Sequence, residues 1–217
     1  MRDFYDKQLE KLNNYLEEMG TLIEHAIQES ISALMKQDKE EAEKTIRYDS
    51  EINNKEREIE NLCMSLLLSQ QPVATDLRMV SAALKMVTDM ERIGDHAADI
   101  AELTLLLAEN GVPTDLSEIE KMAKETTYMV KESVDAYIQR DTNKASQVIK
   151  YDDVVDDYFV KIRKMIIKRI NENIQDGEQA ADILMIAKYL ERIGDHATNI
   201  AEWVLFYITG EHLEETV

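Results

Sequence analysis

The sequence has 217 residues, of which 44% are hydrophobic and 32% are charged, so the chain can form one large domain or two small ones. Its formal net charge is −19, and no basic patch relieves that charge, which argues against nucleic-acid binding. The single cysteine, Cys63, excludes an internal disulfide and is expected to be a buried thiol. Because the N-terminus carries no apolar signal segment and no apolar run reaches about 18 residues, we expect a cytoplasmic protein without a membrane span.

Long helices are predicted along the whole chain, because it is rich in helix-forming residues and has only 6 Gly and 2 Pro to interrupt them. Turn signals at Asp38, 70–72, Asp141 and 176–177 separate the helices, and residues 110–115, which combine Gly with Pro, form the clearest linker. The six expected helices cover residues 6–36, 39–68, 73–108, 116–139, 142–172 and 178–209.

An internal repeat is the strongest feature of the sequence. The segment ERIGDHAADIAE begins at Glu91, and ERIGDHATNIAE follows 100 positions later. Upstream, Asp49 recurs 103 positions later as Asp152, each directly after a Tyr. Two copies are too few for a solenoid. We therefore predict an all-α fold made of a pseudo-symmetric pair of three-helix bundles, over residues 1–110 and 115–217.

Acidic side chains form a second stripe on the third helix of each bundle. Glu91 and Asp95 stand one turn apart and point about 160–200° away from Ile93, which belongs to the apolar stripe facing the core. The second helix adds Asp49 and Asn53, also four apart, so the two steps are placed to meet across a helix pair. A solvated acidic face would give the same pattern, and that alternative stays open.

The second copy repeats this arrangement, with Asn199 in place of Asp99. Carboxylate-rich sites without soft ligands suit hard or borderline cations such as Mg²⁺, Mn²⁺, Ca²⁺ or iron. The candidate metal-binding residues are Asp49, Asn53, Glu91, Asp95, Asp99, Asp152, Asp156, Glu191, Asp195 and Asn199.

The histidines, arginines and glycines next to these acids can each be interpreted in more than one way. His96 and His196 follow the acids directly but point about 100° round the helix, so metal binding and packing both stay open. Arg92 and Arg192 are expected to pair with neighbouring acids, with a phosphate contact as the alternative. Gly94 and its repeat counterpart lie inside helices, where Gly costs about 1 kcal/mol relative to Ala. We expect them where two helices approach closely, with ligand access as the rival explanation.

Enzymatic signatures are weak in this chain. No paired nucleophile and base, phosphate-binding loop or zinc-ligand set occurs, and the Glu-x-x-His step of ferritin-like di-iron bundles is missing. A metal-dependent phosphate-ester hydrolase and a metal-storage bundle remain as alternatives to a regulatory protein.

The motifs resemble those of the PhoU family over nearly the whole chain. The resemblance rests on QQPVATDLR at 70–78, on ERIGDHAADIAE at 91–102 and on ERIGDHATNIAE at 191–202. It implies two tandem antiparallel three-helix bundles with pseudo-twofold symmetry and metal clusters held by the paired acid steps. Multinuclear iron clusters are the first expectation, with zinc, manganese or magnesium as alternatives. Because Asn53 replaces an acid of the family pattern, the first site is expected to hold metal less firmly.

The resemblance also implies a function. Proteins of this family are regulatory adaptors that negatively control high-affinity phosphate uptake and the phosphate-starvation response, with no reaction of their own. The expected partners are the ATPase subunit of the phosphate ABC transporter and a phosphate-sensing histidine kinase, and a homodimer is expected. We further expect the acidic helix faces, with or without metal, to form the docking surface.

Overall fold

The computed structural model describes residues 2–68, 73–112 and 114–211, and no strand occurs within these ranges. This confirms the predicted all-α class, while the predicted break at 70–72 lies outside the described residues. None of the helices in these ranges is long and apolar enough to cross a membrane. The helices are α1 (Arg2–Lys36), α2 (Lys39–Leu68), α3 (Ala74–Asn110), α4 (Ser117–Gln139), α5 (Thr142–Glu172), a short 3₁₀ helix (Ile174–Asp176) and α6 (Gly177–Thr209).

The turns that separate the first two helices of each repeat have the same construction. Gln37 and Arg140 have φ values of 54° and 55°, which is the left-handed conformation that ends a helix. The next residues, Asp38 and Asp141, each accept hydrogen bonds through Oδ1 from the backbone N–H groups two and three positions on. These carboxylates therefore cap α2 and α5, which confirms the predicted breaks at both aspartates.

The helices pack as a ring of four, with one further helix outside each end. α1 and α3 lie against α4 and α6 through α1–α4 and α3–α6 contacts, whereas α2 contacts α1 and α3, and α5 contacts α4, α6 and the 3₁₀ helix. Gly20 lets α1 and α4 come close, since a Cβ at Gly20 would lie 3.1 Å from Cγ1 of Val134. Most buried apolar side chains of both repeats form one continuous cluster, with a small separate cluster at Ala33, Ala42 and Ala101, so one main core joins the two bundles.

The third helices carry the predicted core stripe. Met90, Ile93 and Ala97 are fully buried. A Cβ at Gly94 would lie 2.9 Å from Cδ1 of Ile52 on α2. Gly94 therefore marks a close helix approach, as expected, because an added Cβ would collide with the side chain of Ile52.

This packing produces two broad faces. One face presents α2, α3, α6 and α5 in that order, and the other presents α2, α1, α4 and α5. The third helices of the two repeats lie side by side in the middle of the first face. We call this face, with its α2–α3 groove, α3–α6 seam and α5–α6 groove, the acidic face.

Candidate functional site

Two acidic grooves lie on the acidic face, one in each repeat. The first acid groove, between α2 and α3, is formed by Asp49, Asn53, Glu56, Glu91, Asp95 and Asp99. The second acid groove, between α5 and α6, is formed by Asp152, Asp156, Glu191 and Asp195. In each repeat the structure thus brings together the two acid steps that the helical spacing predicts.

Two oxygen atoms of the first acid groove are buried without a partner. The amide of Asn53 donates a hydrogen bond to Oδ2 of Asp49 at 2.8 Å. Oδ1 of Asp49 and Oδ1 of Asn53 are inaccessible to solvent and accept no hydrogen bond. A buried polar atom left unsatisfied costs about 1–3 kcal/mol, so both oxygens would gain from a positively charged ligand.

Carboxylates within the first acid groove repel one another. Burial raises the pKa of Asp49, and the neighbouring Asp95 raises it further. Burial and then Asp95 likewise raise the pKa of Glu91. Each shift means that the ionised form is disfavoured, and a bound cation would relieve the same repulsion.

Glu56 belongs to this groove although the acid steps at i and i+4 do not include it. Burial raises the pKa of Glu56, with Glu91 of α3 as the next cause. Asp49, Asn53 and Glu56 are spaced i, i+4 and i+7, which places all three on one helix face. That spacing is the signal in the sequence that points to Glu56.

The second acid groove contains the most strongly shifted carboxylate described in the chain. Burial, followed by Asp156 and Asp195, raises the pKa of Asp152 to about 6. Oδ1 of Asp152 lies 3.4 Å from the point that a Cβ on Gly194 would occupy. Gly194 therefore gives room to a carboxylate as well as to a neighbouring helix, unlike Gly94.

A lysine enters the second acid groove. The ammonium group of Lys188 contacts Oε2 of Glu191 on the same helix and lies 5.3 Å from the ring centre of Phe159 on α5. Its charge also lowers the pKa of Asp156, partly offsetting the increase from burial and Asp195. Lys188 thus carries positive charge among the acids of both helices.

The two arginines of the repeated motif behave differently. Arg92 pairs with Asp95 at 3.1 Å and approaches Glu91 at 3.6 Å, which confirms the expected pairing with neighbouring acids. Arg192 instead places its guanidinium 6.0 Å from the ring centre of Tyr189. Both copies of the motif therefore carry the arginine, but Arg92 contacts acids whereas Arg192 lies near an aromatic ring.

The α3–α6 seam holds the two histidines. Nδ1 of His196 lies 2.8 Å from Oδ1 of Asp89, which also accepts a hydrogen bond from the Asn199 amide at 3.1 Å. His96 stacks on Tyr189 at 5.3 Å between ring centres, and the two imidazole rings are 5.7 Å apart. Both histidines therefore pack between the repeats, and the amide of Asn199, a predicted metal ligand, bonds across the seam.

The donor set of the first acid groove fits a hard cation. It offers carboxylate and amide oxygens only, and two of these oxygens are buried without a partner. Within the described ranges, no three His, Cys, Asp or Glu side chains stand close enough to hold one ion. An ion would therefore be bound only after side chains of the groove rotate toward one another, and the ligand set stays a prediction.

Comparison with known proteins agrees with this architecture. The PhoU domain model matches residues 16–104 and 119–204. A phosphate-specific transport system accessory protein PhoU homolog from Clostridium acetobutylicum is 38% identical over 214 residues, which is 98% of each chain. A protein with the same description from Pseudomonas aeruginosa is 33% identical over 207 residues, covering 95% of this chain and 86% of that protein.

Solved structures lead to the same conclusion. The crystal structure of PhoU from Pseudomonas aeruginosa superposes with a TM-score of 0.92 at 32% identity and covers 95% of this chain and 100% of that one. The phosphate transport system regulatory protein PhoU from Streptococcus pneumoniae gives a TM-score of 0.89 at 30% identity, with coverages of 97% and 99%. The chain therefore belongs to the PhoU family.

Proposed function

We propose that this chain is a cytoplasmic regulatory accessory protein of phosphate-specific transport, which lowers high-affinity phosphate uptake and the phosphate-starvation response. The observation that carries the proposal is the match over 98% of both chains to a protein named a phosphate-specific transport system accessory protein. The similar protein from Streptococcus pneumoniae, which is described as a phosphate transport system regulatory protein, supports it. An accessory role of this kind requires binding surfaces and no reaction of its own.

The acidic face is the proposed docking surface. It gathers the carboxylates of both grooves on one side of a chain whose net charge is −19. Charge complementarity of this kind accelerates encounter with a basic partner surface and selects against acidic ones. The proposed partners are the ATPase subunit of the phosphate ABC transporter and a phosphate-sensing histidine kinase, with the chain acting as a homodimer.

Divalent cations are the proposed ligands of the two acid grooves. Asp49, Asn53, Glu91 and Asp95, with Asp99 beside them, would hold a cation in the first groove. A bound cation would neutralise clustered carboxylates and so change the charge that the acidic face shows to a partner. Iron, zinc, manganese and magnesium are the candidate metals, since oxygen-only donor sets suit the harder members of this group.

Complementation tests the regulatory role. The chain is expressed in a bacterial strain whose own PhoU protein has been deleted, and phosphate uptake and a phosphate-starvation reporter are measured at high external phosphate. We expect both signals to fall relative to an empty vector. Equal uptake and reporter signals with and without the chain, at verified expression, would contradict the proposal.

Metal analysis tests the role of the grooves. Purified protein is dialysed against a mixture of the four metals, and its metal content is compared with that of the Glu91→Ala/Asp95→Ala and Glu191→Ala/Asp195→Ala variants. We expect each double variant to lose the metal of one groove. Glu10→Ala/Glu17→Ala on α1 serves as the control, because it removes two exposed carboxylates outside both grooves.

A further inference from the structure

Basic side chains collect on the outer surface of the C-terminal half of α5, although the whole chain has a net charge of −19. The stretch KIRKMIIKR begins at Lys161, and its isoleucines Ile162 and Ile166 are fully buried in the core. The prediction that no basic patch offsets the net charge is therefore wrong for this helix. We call its exposed side chains the α5 patch, which consists of Lys161, Arg163, Lys164, Ile167 and Lys168.

An exposed isoleucine lies among these positive charges. At 100° per residue, Ile167 lies about 40° from Arg163 and about 60° from Lys164 around the helix axis. Its side chain is 51% exposed, and that of Ile174, in the 3₁₀ helix that follows α5, is 84% exposed. This end of α5 therefore presents ammonium, guanidinium and apolar groups on one surface.

Two carboxylates lie against the α5 patch. Glu118 of α4 contacts Lys161 at 2.6 Å, and Glu172 lies 3.7 Å from Lys168. The side chain of Lys168 is 76% exposed, so water and salt screen its pair and it contributes little. The other two cations of the patch form no ion pair within the described ranges. Three positive charges are therefore available to an external ligand.

The equivalent surface of the first repeat lacks these charges. With the 103-residue offset of the second helices, Ile167 corresponds to Met64, and both side chains are 51% exposed. α2 and α5 hold the same place in their bundles, so the fold does not require the cations. The four cationic positions of the α5 patch correspond in α2 to Glu58, Glu60, Asn61 and Ser65.

We propose that the α5 patch is a contact site for an anionic lipid surface. Each Lys or Arg close to such a surface contributes about 1 kcal/mol, and exposed apolar side chains such as Ile167 and Ile174 enter the boundary between headgroups and acyl chains. The patch is the outer side of a single helix, with its cations spread along it, which matches a plane of many headgroups better than one small anion.

The position of α5 makes this contact compatible with an acidic protein. α5 lies at the edge of the acidic face, beyond α6. Charges farther away than the Debye length of about 8 Å at physiological salt are largely screened, so the local charge of the α5 patch decides the contact. A chain bound through this edge would not lay its acidic face on the lipid, and the face would stay open to a partner. The contact goes beyond the proposed function and does not depend on it.

The test is flotation of the full chain with vesicles of phosphatidylcholine and phosphatidylglycerol, at about three to one, or of phosphatidylcholine alone. EDTA is present so that no divalent cation bridges the acidic face to lipid. We expect binding to the anionic vesicles only, and weaker binding as salt rises. Arg163→Gln/Lys164→Gln should weaken it by about 30-fold, from about fivefold per charge.

A matched variant controls for net charge. Lys44→Gln/Arg47→Gln removes the same two charges from exposed positions of α2, where both residues pair with acids of their own helix. We expect this variant to bind the anionic vesicles as the parent does. An equal loss in the two double variants would show that only net charge matters and would overturn the role of the α5 patch.

The apolar contact is tested by tryptophan fluorescence. Ile167→Trp should shift its emission to shorter wavelength when anionic vesicles are added, because the ring enters the headgroup boundary. Met64→Trp is the matched control, since it changes the equivalent and equally exposed position of α2, and it should show no shift. The natural Trp203 gives the same background in both variants. Equal shifts, or no shift in either variant, would overturn the proposed orientation.

Other anionic ligands give distinguishable results. Retention of the chain by polyglutamate or DNA but not by anionic vesicles would overturn the assignment to lipid. Release from the vesicles by inorganic phosphate, at an ionic strength matched with chloride, would show that the α5 patch binds a free anion and would also overturn it. Each of these outcomes leaves the regulatory role intact, because complementation tests that role separately.

Discussion

His196 of α6 and Asp89 of α3 are joined across the seam by a contact of 2.8 Å between Nδ1 and Oδ1. Asp89 also accepts a hydrogen bond from Asn199, so one carboxylate of the first repeat holds two side chains of the second. The symmetry-related position holds Tyr189, on which His96 stacks. The seam between the repeats is therefore asymmetric, because an aspartate in one copy corresponds to a tyrosine in the other.

The seam contact predicts a loss of stability in Asp89→Ala. The variant leaves Nδ1 of His196 and the amide of Asn199 without their acceptor, and we expect the free energy of unfolding to fall by about 1–2 kcal/mol. Urea denaturation in the presence of EDTA measures this change. Asp99→Ala is the control, because the partner of Asp99 is His96 on the same helix. An equal loss in both variants would contradict a special role of Asp89.

Gly94→Ala is expected to destabilise the protein by about 1–3 kcal/mol, because the new Cβ would meet two methyl carbons of Ile52 at 2.9 and 3.0 Å. Ile52→Val in the same chain should recover part of that loss, since it removes the closer carbon. Gly177→Ala is the matched control. Nothing lies within 4 Å of its added Cβ, and its helical φ of −60° predicts a neutral or slightly stabilising change. Thermal unfolding of the four proteins checks the order.

The shifted pKa of Asp152 predicts a dependence of stability on pH. Its value of about 6 in the folded protein exceeds the ordinary value of 3.8, so the folded state binds this proton more tightly than the unfolded chain does. The contribution of Asp152 to stability is therefore complete below about pH 4 and is lost as the pH rises toward 6.

Asp152→Asn tests this dependence, because it removes the ionisable group. At pH 8 and in EDTA, we expect the variant to be more stable than the parent by about 1–2 kcal/mol, after allowance for solvent screening. The difference should vanish below about pH 4. Glu10→Gln, an exposed change on α1, should leave the pH profile unchanged. A constant gain for Asp152→Asn at every pH would show that its cause is not ionisation.

Cys63 is predicted to be unreactive in the native protein. Its side chain is fully buried, as the apolar sequence around it predicts, and burial raises the pKa of the thiol to about 12. Because the thiolate is the reactive form, an aromatic disulfide reagent at pH 8 should label no thiol in buffer and one thiol per chain in urea. Fast labelling of the native protein would mean that α2 opens readily from the core.

Helix positions and the core stripe were predictable because local patterns determine them. Asp38 and Asp141 cap the helices that follow them through hydrogen bonds to backbone N–H groups two and three positions on, so these helix boundaries depend on local sequence. The apolar spacing around Ile93 likewise identifies the buried side of α3, whichever helix packs against it. The largest difference is at the N-terminus, where α1 begins at Arg2 rather than at residue 6. Asp3 in the first turn stabilises the additional residues through the helix dipole.

The candidate site was predictable only in part. The steps formed by Glu91 with Asp95 and by Asp49 with Asn53 follow from spacing within one helix. Glu56 lies one turn beyond that spacing, and its membership depends on how α2 sits against α3. A periodicity defines the direction of a side chain around its own helix axis but not the distance to a residue on another helix.

By itself, the sequence determined two copies of a helical unit, their core-facing side and the acids on the opposite side, because each of these is a property of one helix at a time. The tertiary structure alone decided what those acids meet. The ammonium of Lys188 lies near the Phe159 ring only because α5 packs against α6. Asp89 contacts His196 across the seam only because the two repeats pack through α3 and α6. Electrostatic energy depends on distances between charges, and helix packing sets those distances.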